Sequence, residues 1–300
     1  MIQTPPPEAL IFASADFDGL ELRTMAQACL LLVGESRLAQ VLNAGADPHL
    51  QMAAAMLGIS YEEAKSRKDE HAIKEARQAG KVANFGFPGG LGAEKLVLFA
   101  RKAYKVNLAV DDDQAAKTGL VSAKKLKRIW LSSFPEFRKY FATISDMIGA
   151  DGATFRHFFT GRVRGGAHYA AACNSFFQGL GSDATGNALF LISEACYTPQ
   201  ACRGCAGAGG PCCFGTGVSP LYGTRMVNYV HDEFILECPE SRGHEVAHEL
   251  VRFMVEGAAP FLPDVPATAE PKLMRFWSKD AKQVWVPTPA GKRLVAWPSS

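Results

Sequence analysis

Apolar residues alternate or run together near both ends of the chain and recur at helical spacing through its middle. Residues 10–17 (LIFASADF) read as a strand that ends on acidic residues. Leu20 to Leu32 is a helix rich in Ala and Leu that closes near Gly34, and another helix begins behind Asp47-Pro48 with His49 in its first turn. From Tyr61 an amphipathic helix, or two in succession, runs to Phe85, where Pro88-Gly89-Gly90 stops it. Further helices are expected at about 93–104, 124–132 and 136–148, so 35–148 is almost wholly helical. The texture then changes. Thr154 to Val163 reads as a hairpin turning at Thr160-Gly161, followed by one helix over 169–177 and a second over 183–196. Arg225 to Val230 and Phe234 to Cys238 form a strand pair hinged on His231-Asp232-Glu233. Arg242 to Glu256 is helical and Ala267 to Met274 is a last strand. The first strand and the late strands are expected to share one sheet, with the helical block inserted between them.

A chain of 300 residues that is 48% hydrophobic has enough apolar side chain for a sizeable core and two subdomains. A net charge of +2 excludes a uniformly basic nucleic-acid-coating protein, but the charge is uneven. Residues 65–105 hold ten Lys/Arg against four Asp/Glu, and 117–139 hold seven against one. Such stretches suit either phosphate or a solvated helical surface. The longest apolar run, around Met25 to Val33, is too short to span a bilayer. Eight cysteines behind a polar, Pro-rich opening (Met1 to Glu8) argue against a disulfide framework and for a reducing, cytoplasmic setting.

The chemistry concentrates in three short segments. Asp16 ends the first strand and Asp232 sits at a strand turn, so adjacent strand ends can bring both carboxylates to one sheet rim. Arg77, Lys81 and Phe85 recur every four residues and share one helix face. Each feature alone has a plain structural reading: a turn residue, a solvated face, a core aromatic. Together, two carboxylates for divalent metal and a basic stripe for phosphate are the minimum apparatus for nucleotidyl transfer.

In this order and spelling, DFDGLELR (16–23), ARQAGKVANFG (76–86) and VHDE (230–233) resemble motifs A, B and C of the family A (DNA polymerase I-type) DNA polymerases. The resemblance covers roughly residues 10–285. It implies an α+β fold: a polymerase palm, with an antiparallel sheet and helices, carrying an inserted all-helical fingers subdomain and no thumb. The expected division is 1–34 for the first part of the palm, 35–148 for the fingers, 149–285 for the second part of the palm with a Cys-rich insertion at 197–219, and 286–300 for a C-terminal tail.

By the same resemblance, Asp16 and Asp232 match two metal-binding aspartates, Glu233 the neighbouring acid, and Phe17 lends a backbone carbonyl to one of two Mg²⁺ ions. Glu21 matches the steric gate that excludes a ribose 2′-hydroxyl. His49, Arg77 and Lys81 match triphosphate contacts, and Phe85 packs on the sugar. Asn174 and Gln178 match a minor-groove helix, where amides suit the acceptors that every base pair presents. His231 matches a residue near the primer terminus. Gly89, Gly19 and Ala170 depart from the family, which places Tyr, Gln and Arg at the matching positions. Relatives carry a thumb upstream, whereas 15 residues precede Asp16 here. A companion chain that supplies a thumb or exonuclease, a fragment, and an enzyme working without a thumb all remain open readings.

The implied activity is a template-directed DNA polymerase core that extends a primer 3′-OH from dNTPs and releases pyrophosphate. Its partners are DNA primer-template and dNTPs, with no membrane. The alternative is a non-catalytic primer-template binding subunit, or half of a split polymerase. CRGCAGAGG, from Cys202, is a C-x-x-C-x-G-x-G knuckle similar to those that bind zinc in pairs in certain chaperones. Cys202, Cys205, Cys212 and Cys213 suit either a zinc ion or a Gly-rich loop with free thiols. His244 and His248 share a helix face without a third ligand and read as surface residues.

Overall fold

The computed structural model describes residues 8–289 and 291–297. The chain order begins β1 (Leu10–Phe17), α1 (Leu20–Val33), α2 (Arg37–Asn43), α3 (Pro48–Leu57), α4 (Tyr61–Ser66) and α5 (His71–Gly86). It continues through α6 (Ala93–Phe99), a π-helical turn at Ala100–Tyr104, α7 (Asp112–Thr118), α8 (Ala123–Ser133) and α9 (Glu136–Asp146). Then come β2 (Ala153–Arg156), β3 (Val163–Ala167), α10 (Tyr169–Tyr197), β4 (Arg225–Val230) and β5 (Glu233–Pro239). The last elements are α11 (Gly243–Ala258), β6 (Ala269–Met274), β7 (Val284–Thr288) and β8 (Gly291–Val295). Contacts divide the chain into two compact units: Met1–Leu20 with Ser182–Phe261 and Pro266–Ser300, and Glu21–Gly181 with Leu262–Val265.

The first unit is built on a four-stranded sheet in the order β4-β5-β1-β6. β1 lies inside it, antiparallel to β5 from Leu10↔Pro239 to Asp16↔Glu233 and to β6 from Phe12↔Met274 to Phe17↔Ala269. Strand alternation sorts its side chains. Ile11, Ala13, Ala15 and Phe17 are buried on one face, where Phe234, Leu236 and Leu273 join them. Helix α11 packs on that face and comes close to it at Gly243. A Cβ there would stand 2.8 Å from Ile11 Cδ1 and 3.1 Å from Leu273 Cδ1. The other face carries Ser14 and Asp16.

The second unit is mostly helical. Gly80 of α5 lets that helix lie against α3: an added Cβ would meet Met52 Cβ at 2.7 Å and the His49 carbonyl oxygen at 2.8 Å. Leu50, Ala53, Ala54, Ala64, Ile73 and Ala76 form the core of this crossing. A second core gathers around Trp130 of α8, whose ring centroid lies 5.5 Å from that of Phe87 and 4.6 Å from that of Phe137.

The structure corrects several expectations. Two helices escaped the periodicity because each is only 7 residues long: α2, capped by Ser36, and α7, capped by Asp111 and closed by Gly119 at φ 70°. The segment expected as two helices is one, α10, of 29 residues. Gly179 does not break it, because the missing side chain makes room for the His157 ring, 1.9 Å from an added Cβ. The expected tail at 286–300 instead contains most of the β7–β8 hairpin; Ala290 and 298–300 lie outside the described residues. That hairpin also overturns the surface reading of His244 and His248. They are half-buried, their rings meet edge to face with centroids 4.5 Å apart, and His244 Nδ1 accepts from the Leu294 N–H at 2.9 Å. Among the described residues, no helix is long and apolar enough to cross a membrane.

Candidate active site

In the first unit the hairpin β4–β5 turns through His231 and Asp232, since Val230 pairs directly with Glu233. His231 takes a left-handed φ of 59°, a conformation that costs a non-glycine residue on the order of 1 kcal/mol and is held only by its surroundings. The tight turn sets Asp232 beside the end of β1, where Phe17 N donates to the Asp232 carbonyl at 3.4 Å. Glu233 stands opposite Asp16 across the sheet, and Glu270 opposite Asp16 on the other side. Directly opposed residues share a face, so Glu233, Asp16 and Glu270 form an acidic row.

The electrostatics of this row are strained. Asp16 reaches solvent, yet its carboxyl is pushed up to about 6, first by desolvation and then by the charges of Asp232 and Glu233, with Lys272 opposing. The Asp232 carboxyl lies close enough to share a proton with Asp16. Desolvation raises Asp232 as well. Glu233 is fixed by a short hydrogen bond from Ser14 Oγ. Like charges this close favour protonation or a bound cation. The donor set is all oxygen, which suits a hard divalent ion, and nearby Lys272 is a single positive charge against the four carboxylates of Asp16, Asp232, Glu233 and Glu270. The residues therefore fit the metal that the sequence implies.

In the second unit Arg77, Lys81 and Phe85 do share a face of α5. Arg77 Nε donates to Asp47 Oδ2 at 2.7 Å, while Asp47 also caps α3 by accepting from the amides of His49 at 2.8 Å and Leu50 at 3.3 Å. A guanidinium has five donors, so one aspartate does not exhaust it. Lys81 Nζ lies 5.9 Å from the centre of the Tyr104 ring, and that ring stacks on Phe85 at 6.5 Å. Burial raises the Tyr104 hydroxyl, and the charge of Glu21 adds to it.

His49 is buried, and the hydrogen bonds fix its proton. Trp130 Nε1 can only donate, and it does so to Asn84 Oδ1 at 3.1 Å. Asn84 Nδ2 therefore donates to His49 Nδ1 at 3.0 Å, which leaves the imidazole proton on Nε2. Desolvation lowers His49 to about 4, with Asp47 opposing and Arg77 and Lys81 reinforcing. His49 is thus a neutral N–H donor, where the sequence reading groups it with two cations.

Asn174 bonds its own helix at Ala170 O, 2.7 Å away, and reaches Gly89 O at 3.4 Å. A Cβ at Gly89 would stand 2.9 Å from Asn174 Nδ2, so no side chain fits at position 89 with Asn174 in this rotamer. Gln178 is exposed and donates to Asn174 Oδ1 at 3.4 Å. Cys202, Cys205, Cys212 and Cys213 come together in the first unit, their Sγ atoms all within 4.8 Å of one another. Sequence reasoning missed Glu270, Lys272, Asp47, Asn84, Tyr104 and Trp130. Only Asp47, as a helix cap before Pro48, left a signal that could have found it.

The model of DNA polymerase family A matches residues 2–279. DNA polymerase I of Aquifex aeolicus is 24% identical over 273 residues, which is 91% of this chain and 40% of that protein. The thermostable DNA polymerase I of Thermus filiformis is 26% identical over 92% of this chain and 28% of its own length. Among solved structures, the POL domain of Pol1 from M. smegmatis, in complex with DNA primer-template and dNTP, is similar in fold. Its TM-score is 0.61 at 22% identity, covering 91% of this chain and 41% of that one. The chain therefore spans less than half the length of these relatives.

Proposed function

The chain belongs to DNA polymerase family A, and from that premise we propose that it performs template-directed transfer of deoxynucleotidyl groups to a primer 3′-OH, with release of pyrophosphate. The observation that carries the reading is the pairing of Asp16 with Asp232, two carboxylates close enough to share one proton at the rim of one sheet. A structural role does not account for it, since crowding like charges costs stability and the hairpin that enforces it adds a left-handed His231.

In this reading Asp16, Asp232 and the Phe17 carbonyl hold two Mg²⁺ ions, and Glu233 is held beside them by Ser14. Such ions lower the pKa of an attacking hydroxyl and neutralise the triphosphate. On α5, Arg77 presents a planar fork and Lys81 a point charge to phosphate oxygens, while His49 offers a neutral Nε2–H. Phe85 packs on the sugar of the incoming nucleotide, and Glu21 occupies the space of a ribose 2′-hydroxyl. Asn174 and Gln178 face the minor groove of the nascent pair, and His231 lies at the primer terminus. The palm is 1–34 with 149–285, and the fingers are 35–148.

Primer extension by the chain, with template and with single-stranded primer alone, tests this. Incorporation of the templated base only, dependent on divalent ion, is expected. Untemplated addition at an equal rate would replace the reading with a terminal transferase.

A further inference from the structure

The stretch 198–219, between α10 and β4, folds without an apolar core of its own. Within 198–219 the buried residues are Cys202, Cys213 and Ser219, while Phe214 is exposed. Its backbone is nevertheless closely folded. The Ala201↔Val218 bridge closes its base, Cys202 N donates to Gly217 O at 2.9 Å, and Ser219 N donates to Gln200 O at 2.7 Å. Gly209 and Gly217 both have positive φ and lie against facing backbone: an added Cβ would meet Gly215 O at 2.8 Å and Gly207 O at 2.5 Å. Ala206 and Phe214 take left-handed φ angles of 49° and 56°. Strain of this kind persists only where something over-determines the loop.

The four thiols supply that constraint. Cys202 Sγ lies 3.6 Å from Cys212 Sγ, and Cys205 Sγ lies 3.6 Å from Cys213 Sγ. These separations are far beyond a disulfide bond of about 2.05 Å. They match the edge of a tetrahedron with metal–sulfur bonds of about 2.3 Å, which is roughly 3.8 Å. Four sulfurs within 4.8 Å of one another surround one ion; a two-iron cluster needs its thiolate pairs farther apart. Backbone amides turn toward the sulfurs. Those of Gly204 and Cys205 face Cys202, those of Gly209 and Gly210 face Cys205, and Gly217 N donates to Cys213 Sγ at 3.2 Å. Such bonds support thiolate ligands and fix their direction.

We infer that Cys202, Cys205, Cys212 and Cys213 bind one structural zinc ion that holds this insertion folded. The adjacent Cys212 and Cys213 both reach the site because Pro211–Cys213 is a 3-10 turn, after which Phe214 reverses the chain. The insertion is anchored on α11. Arg203 N donates to the fully buried Glu249 at 2.7 Å, Arg203 Nε bonds Glu256 at 2.9 Å, and Arg252 pairs with Glu249 at 2.8 Å. A Cβ on Gly204 would stand 2.8 Å from an Arg252 nitrogen and 2.9 Å from Cys212 Sγ, so a guanidinium lies beside the thiolates and offsets their excess charge.

Metal analysis of the chain purified without chelator should find about one zinc per chain. The four thiols should resist alkylation until the metal is stripped. Cys202→Ser with Cys205→Ser should lose the zinc, and Cys29→Ser should keep it. Because the double variant can also fail to fold, the wild-type chain reconstituted with Co²⁺ gives a second readout: sulfur-to-cobalt charge transfer with the visible bands of a tetrahedral thiolate site. A metal-free chain whose cysteines are reactive or disulfide-paired, iron in place of zinc, or zinc that survives in a folded double variant would each overturn the inference.

Discussion

The carboxylate rim of the first unit and the basic face of the second are held in opposite ways. At the rim, Asp16, Asp232 and Glu233 are placed by backbone: a strand end, a two-residue turn and cross-strand register. Their charges repel, and Lys272 is the cation that acts on Asp16. On the basic face, each polar group has a side-chain or aromatic neighbour. Arg77 meets Asp47, Lys81 meets Tyr104, and His49 is tied through Asn84 to Trp130. In the proposed function the rim is therefore a device that a cation completes, whereas the basic face is a preorganised scaffold whose residues hold position by themselves. Mutations should separate the two: rim changes should damage function and spare stability, whereas changes beneath the basic face should cost stability.

The largest expected effect is at the rim. If the proposed function holds, Asp16→Asn or Asp232→Asn should reduce extension by about a thousandfold, on the order of 4 kcal/mol, through loss of a metal ligand. Thermal melting should hold or rise, since each change removes one of the repelling charges. A melting temperature that falls with activity would make these residues structural.

Next comes Gly80→Ala. Its Cβ has no place between Met52 and the His49 carbonyl, so α3 and α5 must separate, at a cost of at least about 2 kcal/mol in chemical denaturation. An unchanged denaturation midpoint would mean that the helices lie farther apart than described.

Asn84→Ala strips both His49 and Trp130 of a buried partner. It should cost about 2 kcal/mol and, by freeing the imidazole tautomer, weaken triphosphate binding. Denaturation and nucleotide titration read the two effects separately.

The smallest effect is with pH. His49 has its folded value lowered to about 4, below its ordinary 6.5, so the unfolded chain takes up the proton first. The stability that neutral His49 allows is complete above about pH 6.5 and declines as the pH falls toward 4. Between about pH 7 and pH 5.5 the loss is on the order of 1 kcal/mol. His49→Gln should flatten that slope; an identical slope in the variant would assign it to other groups.

What was legible in the sequence follows the same division. β1, the β4–β5 hairpin and α5 could be read because alternation, a turn and a four-residue repeat are local signals. The rim was legible for the same reason, since Asp16 and Asp232 sit at the ends of readable elements. The pairing of Arg77 with Asp47 joins residues 30 apart, and that of Asn84 with Trp130 joins residues 46 apart; no local pattern carries either. The break expected between 177 and 183 is absent, and in sequence a glycine that ends a helix looks like one that admits a ring, as Gly179 admits His157. The β7–β8 hairpin escaped because Pro287 interrupts a short strand with half-buried and exposed positions.

One double titration tests the central claim most directly: Mn²⁺ into the chain without nucleotide, and dNTP into the chain without divalent ion, each on wild type, Asp232→Asn and Arg77→Ala with Lys81→Ala. The account predicts that Asp232→Asn loses Mn²⁺ affinity and keeps dNTP affinity, while the double variant does the opposite. Equal Mn²⁺ binding by wild type and Asp232→Asn would contradict it, because the rim would then be an acidic surface with no metal to hold.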